Sequence, residues 1–223
     1  MRIIKKLIRY INRKRHAAGH GVHSQFAFEL IMDTIHAPYS YYSYQDNKTI
    51  LHHAQLSKEV NTKYAELLFR LINRFNAKNI LEIGSATGVN TLYLASISKQ
   101  TKITCIEEEE EKTNIAQSLL ANKLENIIFS NKLPVSKQNF DAIVWDLEQY
   151  PYKKEVLETL PRFIKEDGFV VVNAINKEEE NKEVWQNILQ LNFLTMSFDL
   201  GTIGIVFFKP SLPKLNYDIY FKS

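Results

Sequence analysis

From Asn79 onward, segments of strand character alternate with segments of helical periodicity. That alternation restricts the chain to an α/β sheet with parallel crossovers. Strands are predicted at Asn79–Ile83, Lys102–Glu107, Asn126–Phe129, Phe140–Trp145, Phe169–Asn173, Phe193–Leu200 and Thr202–Phe208. Helices are predicted at Val89–Ser98, Glu109–Leu124, Tyr152–Lys165 and Glu178–Leu191. The last two strands have only Gly201 between them, which leaves no room for a crossover helix. They are expected to form an antiparallel hairpin at one end of the sheet.

The segment before the sheet is helical and basic. Ile3, Ile4, Leu7, Ile8 and Ile11 recur at helical spacing, with Arg2, Lys5, Lys6, Arg9 and Arg13 on the other side. Seven bases and no acid lie between Met1 and His23. After a break at Gly19 and Gly21, Ser24 is placed to cap a second helix running to about Ile35. The stretch "HAPYSYYSYQDNKT" reads as a loop, and Tyr64, Leu67, Leu68, Leu71, Ile72 and Phe75 form a helical stripe. We divide the chain into an N-terminal helical extension or lid, 1–55, and a ligand-binding domain, 56–223. The 223 residues, 45% hydrophobic and 24% charged, suffice for one soluble core. A net charge of +3 does not by itself point to nucleic acid. The single cysteine, Cys105, allows no internal disulfide and suits a cytoplasmic location. No apolar run is long enough for a transmembrane segment.

The stretch "ILEIGSATGVNTLYLA" turns a strand into a helix through Gly84 and Gly88. Gly84 permits a sharp turn, and Gly88 lets backbone approach a ligand at the helix start. The next strand ends at Glu107, with Glu108 beside it, where an acid is positioned to accept hydrogen bonds from ribose hydroxyls. Glu108–Glu111 also suit a plain acidic helix start. The spacing E-x-G-x-x-x-G differs from the dinucleotide turn G-x-G-x-x-G, and no phosphate-seeking lysine follows. Turn and acid together point to a nucleoside-bearing cofactor.

"ILEIGSATG", "ITCIEEEEE", "FDAIVWDLEQY", "EDGFVVVNA" and "FLTMSFDLGTIGIVFFKP" resemble the motifs of class I S-adenosylmethionine-dependent methyltransferases. Within that family the likeness is nearest to the catechol and caffeoyl-CoA O-methyltransferases, over roughly Tyr64 to Pro210. "GHGVHSQFAFEL" resembles the opening of uncharacterised bacterial methyltransferase-like proteins. The resemblance implies a Rossmann-like, seven-stranded sheet with the C-terminal hairpin and the N-terminal helical extension. It also implies S-adenosylmethionine as cofactor. Glu82 would organise the turn and contact the amino-acid end of that cofactor. Gly84, Ser85 and Gly88 would line its methionine moiety and Asn90 its carboxylate. Glu107, flanked by Glu108, would bind the ribose, and Ser130 or Asn131 would lie near the adenine. "SNKLPVSKQN" is too short for the small helix the family has there.

For the chemistry, Asp146 matches the first metal ligand of the resembling enzymes and the floor of the active site. Their Asp-Asn pair falls here at Asn173-Ala174 or Ala174-Ile175, and their base lysine at Gln149. A carboxylate is therefore missing, and metal-independent transfer to a small molecule is expected. All six histidines precede Ala54, so a histidine base must come from the N-terminal segment. His23 is the candidate, with local packing as its other reading. Asp146 and His23 are thus the candidate catalytic residues. The alternatives are a non-catalytic protein of the same fold with a degenerate site, or an RNA methyltransferase. The basic helix has three readings: docking on the domain or pairing in a homodimer, lying on an anionic membrane, or touching RNA. No recognised RNA-binding module accompanies it, so nucleic acid is not the expected partner.

Overall fold

The computed structural model describes residues 2–57, 62–136 and 138–222, leaving out the side chains of residues 2–6 and 9. The expected faces of Ile3, Ile4, Arg2, Lys5, Lys6 and Arg9 therefore lie outside the described residues. Helix α1 spans Arg2–Ala17 and α2 spans Gln25–Leu30, the latter widening into a π-helical turn at Ile31–Ile35. Ser24 caps α2 by accepting from the Ala27 amide at 3.3 Å. Helices α3 (Tyr42–His53) and α4 (Thr62–Arg74) follow. The alternating region contains β1 (Asn79–Ile83), α5 (Val89–Ala95), β2 (Lys102–Ile106), α6 (Glu110–Leu119), β3 (Ile127–Ser130) and β4 (Phe140–Asp146). It continues through α7 (Lys154–Phe163), β5 (Ile164–Asn173), α8 (Glu179–Leu189), β6 (Met196–Asp199), β7 (Ile203–Phe207) and β8 (Leu215–Asp218).

The strands form one sheet in the order β3-β2-β1-β4-β5-β7-β6-β8. β1 to β5 run parallel, and β7 lies antiparallel between β5 and β6, as the short connection 200–202 requires. The sheet thus has eight strands, not the seven expected. The additional strand, β8, pairs parallel with β6, and its four residues bury only Tyr217. So short a strand carries no readable alternation.

A second difference is α3, which occupies most of the segment read as a loop. Its buried residues are Tyr44, Asn47 and Leu51, a helical spacing masked by a polar member. Tyr44 packs against Phe69 and Tyr93, and Asn47 Oδ1 accepts from Ser96 Oγ at 2.9 Å. Tertiary partners on α4 and α5 select this helix, not its own propensity. Several boundaries also move: α6 ends at Leu119, not Leu124, and β6 begins at Met196, not Phe193. α5 stops at Ala95, and β5 begins at Ile164, where Ile164 pairs with Phe140 across a register irregularity.

The core has two layers, one on each face of the sheet. One face is covered by α2 to α5, with Leu30, Leu51, Leu68 and Tyr93 packed against Val144, Val171 and Phe207. The other holds Trp145, Val156, Leu160 and Trp185 from β4, α7 and α8. Residues of segment 1–55 share the first layer with the sheet. Arg70 of α4 fastens them: its guanidinium, itself buried, donates to the carbonyls of Thr34 at 2.6 Å and Ile35 at 3.3 Å. These carbonyls lie at the C-terminal end of the π-helical turn. Arg70→Ala strands them without a donor, so it is expected to cost about 2–3 kcal/mol. A thermal scan should show the midpoint about 5–10 °C lower. An unchanged midpoint would mean that the turn is held by packing alone.

Candidate active site

The carboxyl ends of β1, β4 and β5 open onto a cleft of about 390 Å³. Gly84, Ser85, Ala86, Thr87, Val89 and Asn90 form one wall. Asp146, Glu148, Gln149 and Asn173 form the floor and the far side, and Leu56, Tyr64 and Lys112 complete the rim. A cleft at the carboxyl edge of a parallel sheet is where ligands of such folds bind.

The turn after β1 is tightly wound. Gly84, Ala86 and Gly88 all have left-handed backbone, with φ of 82°, 47° and 81°. The amides of Gly84 and Ser85 both donate to the Ile106 carbonyl, at 2.9 and 3.3 Å. A Cβ on Gly84 would stand 3.0 Å from the Asp146 carbonyl oxygen. The two glycines have different tasks. Gly88 does not line the cleft; its Cα faces α6, where an added Cβ would meet Ala116 Cβ at 2.8 Å. It allows two helices to approach closely.

Glu107 is buried, and its carboxylate spans the turn. Oε2 accepts from the Ala86 amide at 2.9 Å and Oε1 from the Glu109 amide at 3.0 Å. The first bond holds Ala86 in its left-handed conformation, which is otherwise unfavourable by about 1–2 kcal/mol. Each oxygen keeps a second lone pair. Beyond Glu107 lies a smaller cavity of about 230 Å³, lined by Glu107, Glu108, Phe129, Ser130 and Asn131 among others. Glu107 thus lines this cavity and reaches the cleft wall only through the amide of Ala86. The Ser130 hydroxyl is engaged locally with the backbone of Lys132. Glu108 is exposed and forms an ion pair with Lys153.

Glu82 lies beneath the turn and does not line the cleft. Its Oε2 accepts from Thr91 Oγ1 at 2.7 Å and from Cys105 Sγ at 3.7 Å, while Oε1 is buried without a partner. Burial pushes its pKa up to about 8. Asp146 is also buried: Oδ2 accepts from Asn173 Nδ2 at 3.0 Å and Oδ1 from the Glu148 amide at 2.9 Å. Burial raises its pKa, against the lowering effect of Asn173.

The structure thus brings together Gly84, Ser85, Asn90, Asp146 and Asn173 in one cleft, and Glu107, Glu108 and Ser130 in a second, smaller cavity. It does not bring His23 to the cleft. His23 is exposed at the entry to α2 and does not line the cavity. Sequence reasoning missed Tyr64, Lys112 and Glu148. Tyr64 read as a core residue because it opens the apolar stripe of α4. Lys112 is hidden in the acidic run that precedes it, yet its Nζ donates to Gln149 Oε1 at 3.3 Å and to Glu109 Oε1 at 2.7 Å. An ammonium group therefore stands beside position 149 although that residue is glutamine. Lys177 forms an ion pair with Glu148 on the opposite rim. Among the described residues, no group of three or more histidine, cysteine, aspartate or glutamate side chains is gathered as a metal site.

Comparison with solved structures gives the same fold. A Staphylococcus aureus protein assigned as a caffeoyl-CoA O-methyltransferase matches 72% of this chain and 91% of its own, with a TM-score of 0.63 and 20% identity. An O-methyltransferase from Bacillus cereus, in complex with SAH, matches 76% and 92%, with a TM-score of 0.57 and 17% identity. In sequence, protein arginine N-methyltransferase 2 of Xenopus tropicalis is 23% identical over 175 residues. That match covers 67% of this chain but only 40% of the relative. The profile of the methyltransferase domain family matches residues 75–203, more than half of the chain, and the left-handed turn, the buried acid after β2 and the antiparallel β7 all fall on that span or at its edge. The chain belongs to the methyltransferase domain family.

Proposed function

We propose that the protein binds S-adenosylmethionine along the turn and transfers its methyl group to a hydroxyl of a small molecule without a metal. The observation that carries this reading is Glu107, a buried carboxylate that lines the smaller cavity, keeps a second lone pair on each oxygen and holds the amide of Ala86, a residue of the cleft wall. Gly84 supports the same fit, because it lets the turn close onto the Asp146 loop, where a Cβ would stand 3.0 Å from the Asp146 carbonyl oxygen, and both line the cleft. When bound, the cofactor supplies an electrophilic methyl group on a sulfonium. Gly84, Ser85 and Asn90 border the amino-acid half, Glu107 accepts from the ribose hydroxyls, and Glu108 and Ser130 border the base.

Asp146 is the proposed base. Its raised pKa makes it a better proton acceptor than an exposed aspartate, and Asn173 fixes its orientation. His23, exposed away from the cleft, has no part in this scheme. Residues 1–55 are read as an extension on the 56–223 domain, and the lone buried Cys105 supports a cytoplasmic location.

Isothermal titration with S-adenosylmethionine and S-adenosylhomocysteine tests the pocket. Micromolar affinity is expected, weakened about 10- to 100-fold in Glu107→Ala through loss of charged hydrogen bonds. Asp146→Ala should abolish turnover with any acceptor found in a hydroxyl-compound screen. No heat of binding at millimolar cofactor would overturn the proposal and favour a non-catalytic protein of this fold.

A further inference from the structure

We propose that α1 docks the protein on an anionic lipid membrane. The helix is attached to the domain by its polar side. Arg13 pairs with Asp199 at 2.5 Å and with Asp218 at 3.6 Å, His16 Nδ1 bonds the Asp218 carbonyl at 2.9 Å, and the Arg13 carbonyl accepts from the Tyr220 amide at 3.1 Å. The opposite side carries Leu7, Ile8 and Ile11, which are 58%, 53% and 48% exposed. An amphipathic helix normally buries its apolar stripe in the core, and here that stripe faces outward.

The surroundings of the stripe identify what it meets. Arg15 continues it one turn further and Lys14 borders it, both exposed. Tyr10 and Tyr220 flank it edge to face at 6.0 Å, with Lys14 Nζ over both rings. An apolar strip edged by tyrosine and by bases suits the boundary between acyl chains and anionic headgroups. A second copy of the helix would bring like charges together, because residues 1–23 contain seven bases and no acid. RNA would satisfy the bases and leave Leu7, Ile8 and Ile11 in water. Asp199 and Asp218 end strands that run parallel to β5, so α1 lies along the same edge of the sheet as the cleft.

The test is sedimentation of the full chain with vesicles of phosphatidylcholine alone, and with vesicles containing about one quarter phosphatidylglycerol. The protein should pellet with the anionic vesicles and remain in solution with the neutral ones. Leu7→Ser combined with Ile11→Ser should lower partitioning about tenfold or more, and Lys14→Gln with Arg15→Gln should weaken it and its salt dependence. Thermal midpoints and cofactor affinity equal to wild type show that the variants are folded. Failure to pellet with anionic vesicles overturns the proposal, as does a serine double variant that partitions like wild type. A dimer in sedimentation velocity that the serine variant converts to monomer would assign the stripe to a second copy. RNA binding without vesicle binding would assign the bases to nucleic acid.

Discussion

Gly84→Val is expected to weaken S-adenosylmethionine binding by at least about 100-fold, equivalent to about 3 kcal/mol. Two effects combine. The backbone at residue 84 has φ of 82°, a conformation that a β-branched residue adopts only with strain of about 1–3 kcal/mol. The new Cβ would also stand 3.0 Å from the Asp146 carbonyl oxygen and 3.1 Å from the Cβ atoms of Gln149 and Tyr150. Those atoms cannot retreat cheaply. The loop after β4 is closed by the Tyr150 amide on the Asp146 carbonyl at 2.8 Å, and Trp145 Nε1 donates to the Tyr150 carbonyl at 2.9 Å. Accommodation therefore displaces either the turn or the Asp146 loop, and both line the cleft. Titration calorimetry reads the affinity, and a thermal midpoint lower by about 4–10 °C reads the strain. Gly84→Ala should show both effects at reduced size. A folded valine variant with wild-type affinity would mean that this turn does not cradle the cofactor.

Glu82→Gln should change the pH dependence of stability more than any other single substitution at the site. The Glu82 carboxyl is fully buried, and its pKa rises from the ordinary 4.5 to about 8. Between those two values the folded protein retains a proton that the unfolded chain releases. Stability therefore falls as pH rises through that window, and the loss from this one group sums to about 3–5 kcal/mol. Below about pH 4.5 both states are protonated and the group contributes no slope. Glutamine is neutral throughout and still offers an acceptor to Thr91. Urea unfolding at about pH 5 and pH 8 should show that the variant escapes this loss, while contributions from all other groups cancel between the two proteins. Equal pH slopes for wild type and variant would show that Glu82 is charged beneath the turn.

The N-terminal half of the molecule shows the limits of reading pattern alone. The stripe of α4 is continuous and apolar, so it is legible. The stripe of α3 is interrupted by Asn47, whose burial depends on Ser96, 49 residues away. β8 has no apolar alternation and exists because the β6 edge offers it a ladder. The same distinction runs through the site. The place of Glu107 just after β2 was legible because strand-end position alone sets it. Glu82 and Gly88 were placed in the correct turn, but the groups they face could not be foreseen. One points beneath the turn to Thr91 and Cys105, and the other toward Ala116 of α6. Lys112 enters the cleft only because α6 packs so that its ammonium reaches Gln149.

By itself, the sequence determined the α/β alternation, the antiparallel hairpin around Gly201, the glycine turn and the acid at the end of β2. Each is encoded within a few residues, by hydrophobic period, by loop length or by a position that only glycine fills without strain. Tertiary structure decided what each side chain faces. It buried Glu82 away from the cleft, left His23 outside it, brought Lys112 to its rim and turned the apolar side of α1 outward. These outcomes depend on packing between elements distant in sequence, where the free energy of burial and of long-range pairing outweighs local preference.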